Sequence, residues 1–326
     1  MKKILSIMFT LILVVGLFAG CGGGEATGGN ETGSLTFTTG GDQGTYYAFG
    51  NVLAGQVSGA TDTAVTAITS GGSQANIEAI QVGDAQIGFA QSDVMTYAYE
   101  GTNLFEEFGK VEGISTVAAL YLEQVQIVTT NPEIKTVADL KGKTVSIGAA
   151  GSGVYYNAID ILGAYDLTEE DIKPTYESFG DSAASLQDGK IDAAFVVAGA
   201  PTTAITSLAT SKDVYLVGMD TEHITALKEI SPYYEEVVIK AGTYEGFDVD
   251  TTTVAVGAVV IAADTAAEAD IYNFVSGIYD NIDDITNAHA KGAELDMDYA
   301  TSITTIPYHP GAAKYFGEKG VEVPVK

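Results

Sequence analysis

Apolar and polar positions change repeatedly between strand-like and helix-like spacing along this chain. Residues 35–39 predict a short strand, residues 45–57 a helix, and residues 64–68 a second strand. A second helix is expected over residues 73–82, and the apolar segment 86–90 predicts a buried strand. Because strands and helices alternate in this order, the sequence indicates an α/β fold.

The most informative pattern is an internal duplication. Residues 36–53 and 144–162 each read as a strand, a Gly-rich loop, a Gly-x-Tyr-Tyr motif and a helix, with one extra loop residue in the second copy. Residues 82–90 and 188–196 repeat a second unit at nearly the same offset. A repeat of this length predicts two duplicated lobes rather than a solenoid.

Two apolar segments, residues 124–130 and 236–240, are predicted to pass between the lobes. Two passages imply a two-stranded hinge, after which the C-terminal part of the chain completes the first lobe. We therefore predict one lobe from residues 35–127 plus 241–326 and the other lobe from residues 128–240.

The N-terminus is predicted to be a targeting segment. Residues 1–20 contain two lysines and an apolar run of about 16 residues, which is shorter than the roughly 20 that span a bilayer. This pattern is typical of a secretory signal peptide, and Cys21, which follows directly, is the expected lipidation site. An uncleaved membrane helix is the alternative. The Gly-rich residues 21–34 then predict a flexible tether, so the protein is expected outside the cytoplasm, lipid-anchored to the outer face of the cytoplasmic membrane.

Composition excludes several classes of function. The 326 residues include 43 acidic and 15 basic residues, a net charge of −28, so the surface repels nucleic-acid phosphates. Cys21 is the only cysteine and the three histidines lack metal-ligand spacing, so we expect neither a metal site nor a cofactor. The sequence has no serine-nucleophile elbow and no recognisable acid–base pair, and we expect no enzyme activity.

The two Gly-rich loops are the main candidates for ligand binding. Each joins a strand end to a helix start, where free N–H groups and the positive end of the helix dipole attract an anion. Gly41 lies in the first loop, and Ser152 and Gly153 lie in the second. A tight turn without a ligand is the alternative for either loop alone. Because every basic residue is a lysine, backbone amides, hydroxyls, amide side chains or lysine must hold an anionic ligand.

The second repeated unit adds three candidates beside the same cleft. Gln91 and Asp93 follow the buried strand of the first lobe, and Ala200 occupies the corresponding place in the second lobe. Asp93 is suited either to pair with an ammonium group or to cap the helix expected after it, and Gln91 is the better ligand candidate. One tyrosine of each Tyr-Tyr pair is also expected in the site.

Segments 38–50, 70–80, 87–94 and 148–158, together with the closing segment 306–321, resemble the TAXI family of solute receptors for tripartite ATP-independent periplasmic (TRAP) transporters. The resemblance implies a type II-like, two-lobed periplasmic-binding-protein fold and a ligand among the acidic amino acids or related carboxylates. By motif position it also implies a set of residues at the cleft: Tyr46, Ser70, Asn76, Gln91, Ser152, Gly153 and Val154.

Together these observations predict a monomeric solute receptor that closes its lobes around a small anionic solute. The expected solute is glutamate, glutamine or a related carboxylate such as 2-oxoglutarate, delivered to the membrane subunits of a TRAP permease. Contact with the membrane is expected through the lipid alone, and no nucleic acid is expected as a partner. The nearest alternative is a binding lipoprotein of an ATP-driven (ABC) uptake system with the same fold. A more distant alternative is an extracellular enzyme that reuses this fold.

Overall fold

The computed structural model describes residues 33–107 and 109–326, without the side chain of Leu104. The predicted signal peptide and the lipidation site Cys21 lie outside the described residues. The first strand starts at Gly33, within the predicted tether. Among the described residues, no helix is both long enough and apolar enough to cross a bilayer.

Ten β-strands form one mixed sheet within the described ranges. In chain order they are β1 (Gly33–Thr38), β2 (Thr63–Ile68), β3 (Ile87–Gln91), β4 (Ile114–Thr129), β5 (Thr144–Ser146), β6 (Lys173–Thr175), β7 (Ala193–Ala198), β8 (Tyr215–Val217), β9 (Glu235–Ile239) and β10 (Thr251–Ala263).

The same described ranges contain eleven α-helices and four short 3₁₀-helices. The α-helices are α1 (Thr45–Ala60), α2 (Ser73–Val82), α3 (Ser92–Glu100), α4 (Gly153–Ala164), α5 (Phe179–Gln187), α6 (Thr203–Ala209), α7 (Thr221–Ile230), α8 (Glu268–Tyr279), α9 (Ile282–Ala288), α10 (Met297–Ala300) and α11 (Pro310–Glu318). The 3₁₀-helices are Asn103–Phe105, Val137–Leu140, Glu169–Asp171 and Ala290–Glu294.

The sheet has two halves with the same internal order. In the first half, β2, β1 and β3 pair in parallel and β10 lies antiparallel beside β3. In the second half, β6, β5 and β7 pair in parallel and β4 lies antiparallel beside β7. The two halves meet where β10 pairs with β4, and β8 and β9 add to β4 and β10. This repeated order agrees with the internal duplication in the sequence.

The apolar face of α1 illustrates how the sequence pattern produces a core. Phe49 and Leu53 lie one helical turn apart and are fully buried. They pack in one cluster with Phe37 of β1 and Phe89 of β3. Since burying a side chain of this size contributes about 1.5–3 kcal/mol, this cluster fixes the helix on the sheet. The N-terminus of α1 is thereby held at the carboxyl ends of the strands.

Two long strands, β4 and β10, connect the halves, as a two-stranded hinge requires. Val125 of β4 and Val254 of β10 pack in a core of the second half, whereas Val117 and Val260 of the same strands pack in a core of the first half. Residues 236–240 were predicted to pass between the lobes. They fall largely in β9, which pairs with the first part of β10.

The division into lobes remains a proposal, and the packing of the second connection refines it. Tyr244 and Phe247 pack with residues of the second half, and Val256 belongs to a core of that half as well. The sequence assigned all three to the first lobe. We therefore propose that the second boundary lies near Val256 instead of Lys240, since a lobe is defined by the core that its residues share.

Candidate functional site

The carboxyl ends of the parallel strands surround one cavity between the two halves of the sheet. The loops after β1 and β2 and the end of β3 contribute from the first half, and the loops after β5 and β6 and the end of β7 contribute from the second. The cavity contains about 590 Å³ of space that no protein atom occupies, and this volume includes the open space at its mouth. Its position is the one where open α/β sheets bind ligands, at the carboxyl ends of their strands.

Four helices begin at the wall of this cavity: α1 and α2 from the first half, and α4 and α5 from the second. The residues before the first three helices are Gly44, Gly72 and Ser152, and none of these makes a side-chain capping bond. In α5, by contrast, the Ser178 side chain accepts a bond from the Asp181 N–H. Free N–H groups and the positive ends of the helix dipoles therefore converge on the cavity and favour an anion.

Seven of the ten predicted ligand-binding residues lie in the cavity wall. These are Gly41, Tyr46, Ser70, Gln91, Ser152, Gly153 and Val154. They come from the loops or helix starts of both halves. Their contact with a solute stays a prediction, but the structure brings them together around one space.

The other three predicted residues, Asn76, Asp93 and Ala200, lie outside that wall. The Asn76 amide donates to the carbonyls of Thr39, at 2.7 Å, and Phe89, at 2.8 Å, so it ties the ends of two strands together. The Ala200 N–H donates to Gln124 at 2.9 Å. The Asn76 amide and the Ala200 N–H therefore already have hydrogen-bond acceptors within the protein.

Asp93 is placed in a buried network beside the cavity. One of its carboxylate oxygens accepts a bond from the Asn157 amide at 2.7 Å, and the other has no partner among the described residues. Burial, followed by the nearby charge of Asp160, raises the pKa of Asp93 to about 7. Its carboxyl group holds the two halves together and does not face the cavity.

The two tyrosine pairs differ in their roles. Tyr46 of the first pair lines the cavity, and its ring stacks on Phe89 with centroids 4.4 Å apart. In the second pair, the Tyr156 hydroxyl donates to Gln74 at 3.0 Å and the Tyr155 hydroxyl donates to Glu169 at 3.0 Å. The expectation of one tyrosine per pair in the site therefore fits only the first pair.

Gly153 allows a close approach between the halves. A Cβ atom at this position would lie 1.7 Å from Oε1 of Gln91 and 2.8 Å from Oγ of Ser73. The Gln91 amide also donates to Asn157 at 3.0 Å. The φ angle of Gly153 is not positive, so glycine is required here because a side chain would not fit, and not because of its backbone conformation.

Buried polar atoms without a hydrogen-bond partner among the described residues cluster around the cavity. They are Tyr46 Oη, Gln91 Oε1, Glu123 Oε2, Ser152 Oγ and Glu177 Oε2. A buried polar atom left without a partner costs about 1–3 kcal/mol. Several such atoms around one space mark the place where the polar groups of a ligand are expected.

Glu123 is the most important residue that the sequence reading missed. It lies on β4, is 2% exposed and lines the cavity. Burial raises its pKa to about 8, whereas the Tyr46 hydroxyl, Lys291 and the Gln91 side chain act in the opposite direction. A charged residue inside the long apolar segment Ile114–Thr129 was the signal that could have identified it.

The remaining lining residues were also not predicted as ligand candidates. They are Gly40, Gly44, Thr45, Gly71, Gly72, Ser73, Ala149, Glu177, Ser178, Phe179, Val197 and Ala198. Four of them belong to the two Gly-rich loop motifs and three to segment 70–80, whereas nothing in the sequence indicated the other five, which are Glu177, Ser178, Phe179, Val197 and Ala198.

The described wall of the cavity contains two acidic residues, Glu123 and Glu177, and no basic residue. The charge of buried Lys291 acts against the burial that raises the pKa of Glu123, but the Nζ atom of Lys291 lies 2.5 Å from Oε1 of Glu294. An anionic group in this cavity must therefore be bound by N–H groups and hydroxyls, as the lack of arginine in the sequence implies.

A buried network beside the cavity joins α4 to the first half. Asn157 of α4 donates to Asp93 at 2.7 Å and to the Tyr234 hydroxyl at 2.9 Å, and it accepts from Gln91 at 3.0 Å. One turn further along α4, Asp160 accepts a bond from the Tyr97 hydroxyl at 3.1 Å. Burial raises the pKa of Asp160 as well.

Two hydrogen bonds to backbone carbonyls complete the closure of the cavity. The Ala75 N–H donates to the Gly151 carbonyl at 3.0 Å. On the other side, the Thr45 hydroxyl donates to the Gly199 carbonyl at 2.9 Å. Because both bonds join opposite halves, the structure has a closed arrangement in which the cavity is held between them.

A sequence profile of the NMT1-like family matches residues 37–320. Among solved structures, a protein from Bordetella bronchiseptica RB50 is similar with a TM-score of 0.52 and 17% identity, over 87% of this chain and 82% of that chain. An ancestral arginine-binding protein bound to arginine has a TM-score of 0.50 and 14% identity, over 78% and 97%. A ligand-binding component of an ABC-type import system from Staphylococcus aureus, with zinc bound, has a TM-score of 0.50 and 10% identity, over 90% and 94%. These likenesses show the fold, which is the two-lobed periplasmic-binding-protein fold that the sequence predicts.

Proposed function

We propose that this chain, which belongs to the NMT1-like family, is an extracytoplasmic solute-binding protein of a membrane transporter. It captures a small anionic solute by closing its two lobes and delivers it to a permease. The observation that carries this proposal is the cavity between the halves, where four helix N-termini meet buried polar atoms that have no partner among the described residues. Capture and release need no catalytic group.

The carboxylate of the solute is proposed to bind at the start of α4. The Ser152 hydroxyl is buried there without a partner among the described residues and makes no capping bond. The first N–H groups of α4 lie beside it, so a carboxylate would accept several bonds at once. Gly41 and Tyr46 face it from the first half, which lets one solute contact both lobes.

Glutamate is the proposed solute class, together with glutamine and 2-oxoglutarate as close relatives. Two features support it: a site for an anion that lacks a basic side chain in its described wall, and the resemblance of the loop motifs to the TAXI family. Gln91, whose Oε1 atom is buried without a partner among the described residues, is placed to bind a second polar group of the same solute.

The transporter is proposed to be a TRAP system, with the protein acting as its monomeric TAXI-type receptor. The fold is shared more widely, and an ABC-type import component is among the similar structures. An ABC uptake system is therefore the second candidate. A neighbouring permease gene with fused small and large membrane subunits would support TRAP, whereas a neighbouring ATPase gene would support the ABC alternative.

Ligand identity is tested by native mass spectrometry of the purified protein, followed by calorimetry on protein that has been unfolded and refolded to remove retained solute. We expect heat from L-glutamate, L-glutamine or 2-oxoglutarate. If none of these carboxylates binds while a neutral sugar or a simple cation does, the proposal of an anionic solute is wrong.

Lobe closure is tested by small-angle X-ray scattering with and without a solute that has been shown to bind. The bound protein should be more compact and more stable, by about 2.7 kcal/mol at a hundredfold excess over the dissociation constant. Identical scattering curves for the free and saturated protein would rule out closure on binding.

Lipid anchoring at Cys21 is a further part of the proposal. The substitution Cys21→Ser should move the protein from the membrane fraction to the soluble fraction without changing its melting temperature, because the predicted lobes begin at residue 35. A variant that stays on membranes through detergent-free washing would favour a retained N-terminal helix.

A further inference from the structure

Glu123 is a buried carboxylate that faces the cavity. It lies on β4, one of the two strands that connect the halves, directly opposite Val256 of β10. The residue is 2% exposed and belongs to the cavity wall. Its Oε2 atom has no hydrogen-bond partner among the described residues. A buried carboxylate in this position is costly unless a cation or several donors meet it.

The surrounding side chains leave room for such a partner. Lys291, whose charge acts against the raised pKa of Glu123, has its Nζ atom 2.5 Å from Glu294 and is not part of the cavity wall. Tyr46 and Gln91 flank Glu123, and each also has a buried oxygen without a partner among the described residues. A compact cation with three N–H donors could therefore reach three acceptors at this end of the cavity.

We infer that Glu123 binds the ammonium group of the solute. The inference rests on the proposed function, in which the solute carboxylate binds at the N-terminus of α4. The cavity would then hold a zwitterion, with its carboxylate at Ser152 and its ammonium group at Glu123. A carboxylate that lacks the amine would bind less tightly, because it would leave Glu123 buried without a cation.

Two other acidic residues are weaker candidates for this role. Asp93, which the sequence suggested, lies outside the cavity wall and accepts a bond from Asn157. Glu177 also lines the cavity and has a buried Oε2 atom without a partner among the described residues, but the residue as a whole is partly exposed, whereas Glu123 is 2% exposed. The raised pKa of Glu123 agrees with the assignment, since burial without a bound cation disfavours the ionised form.

The test is calorimetric titration of the full mature chain with L-glutamate and, separately, with 2-oxoglutarate, which has a keto group in place of the amine. The variant is Glu123→Gln, which keeps the size of the side chain and removes its charge. We expect the variant to weaken L-glutamate binding about ten- to a hundredfold, while 2-oxoglutarate changes by less than about threefold. Glu133→Gln, at an exposed loop position, is the control with the same change in charge and should leave both affinities unchanged.

An equal loss for both solutes, or no loss for either, overturns the inference. If Glu123→Gln does not fold, as judged by circular dichroism, the wild-type protein still decides, because it must bind L-glutamate at least about tenfold more tightly than 2-oxoglutarate. Wild-type protein that binds 2-oxoglutarate but not L-glutamate overturns the inference and leaves the proposed function intact. Wild-type protein that binds no carboxylate overturns both.

Discussion

The cavity and the polar network beside it use neighbouring residues of α4 in opposite ways. At the start of the helix, the Ser152 hydroxyl is buried with no partner among the described residues. One turn further on, Asn157 makes three bonds, to Asp93, Tyr234 and Gln91. The protein thus supplies its own partners where the halves must join, and leaves hydrogen-bonding groups open where a solute is expected.

This difference separates closure from specificity. Changes in the network should affect every solute by the same factor, because they alter the stability of the closed form that all solutes share. Changes in the cavity wall should affect solutes unequally, because each solute presents different groups to Ser152, Gln91 and Glu123. A network variant that changes the affinities for two solutes by different factors would therefore contradict this separation.

The largest effect is expected at the point where the two regions meet. Gly153→Val, and even Gly153→Ala, places a Cβ atom 1.7 Å from the Gln91 oxygen and forces that side chain away from Asn157. Overpacking and the lost bond together should reduce solute affinity by at least about a hundredfold, measured by calorimetry. Gly163→Ala, whose Cβ would have only an ordinary contact at 3.9 Å, is the matched control on the same helix. Equal affinities for the two alanine variants would contradict the close approach.

The next effect is expected in the cavity wall alone. Ser152→Ala removes one donor to a charged group and should weaken carboxylate binding ten- to a hundredfold, which corresponds to about 1.5–3 kcal/mol. Ser182→Ala is the control, since the Ser182 hydroxyl is buried but donates to Ser146 at 2.8 Å. Affinity that survives Ser152→Ala unchanged would remove this loop from the site while leaving the ligand class open.

A smaller and uniform effect is expected in the network. Asn157→Ala leaves Asp93 and Gln91 without their partner and should destabilise the closed form by about 1–3 kcal/mol. Affinities for L-glutamate and 2-oxoglutarate should then fall by the same factor, of about tenfold. Unequal losses of affinity for the two solutes, measured in one calorimetric series, would show that the network also contributes to solute specificity.

The last effect concerns stability instead of solute affinity, and it is a dependence on pH. Burial, and then the charge of Asp160, raises the pKa of Asp93 to about 7, so the folded form binds this proton more tightly than the unfolded chain does. The free energy of unfolding should therefore fall as pH rises from about 4 to about 7, and level off above that range. In Asp93→Asn this slope should be smaller by up to about 1.4 kcal/mol per pH unit, as measured by denaturant unfolding. Identical slopes in both proteins would show that Asp93 does not titrate in this range.

Local spacing was sufficient to predict the elements around the site. The helix predicted over residues 73–82 is present with the same bounds, and α1 begins at Thr45 as predicted and ends at Ala60 instead of residue 57. Such agreement is expected because apolar periodicity and glycine placement act over a few residues.

The second connection between the lobes could not be placed in this way. Residues 236–240 and 252–262 both read as apolar strands, and only their pairing decides which one crosses. β10 pairs with both β3 and β4 and so runs through both halves, while β9 pairs with its first part alone. Strand pairing is a long-range property that period and composition do not contain.

The sequence by itself determined the α/β fold, the duplicated halves and the loops that form the cavity, because each depends on a local pattern that occurs twice. Only the tertiary structure decided which polar residues face the cavity. Asp93 and Asn157 are 64 residues apart, and their bond turns a candidate ligand residue into part of the closure. Glu123 lies in a strand that is otherwise mostly apolar, and its place in the cavity wall emerges only where β4 passes between the halves. Whether a buried polar group finds a protein partner depends on contacts between distant segments, and that decides whether it is left to bind a solute.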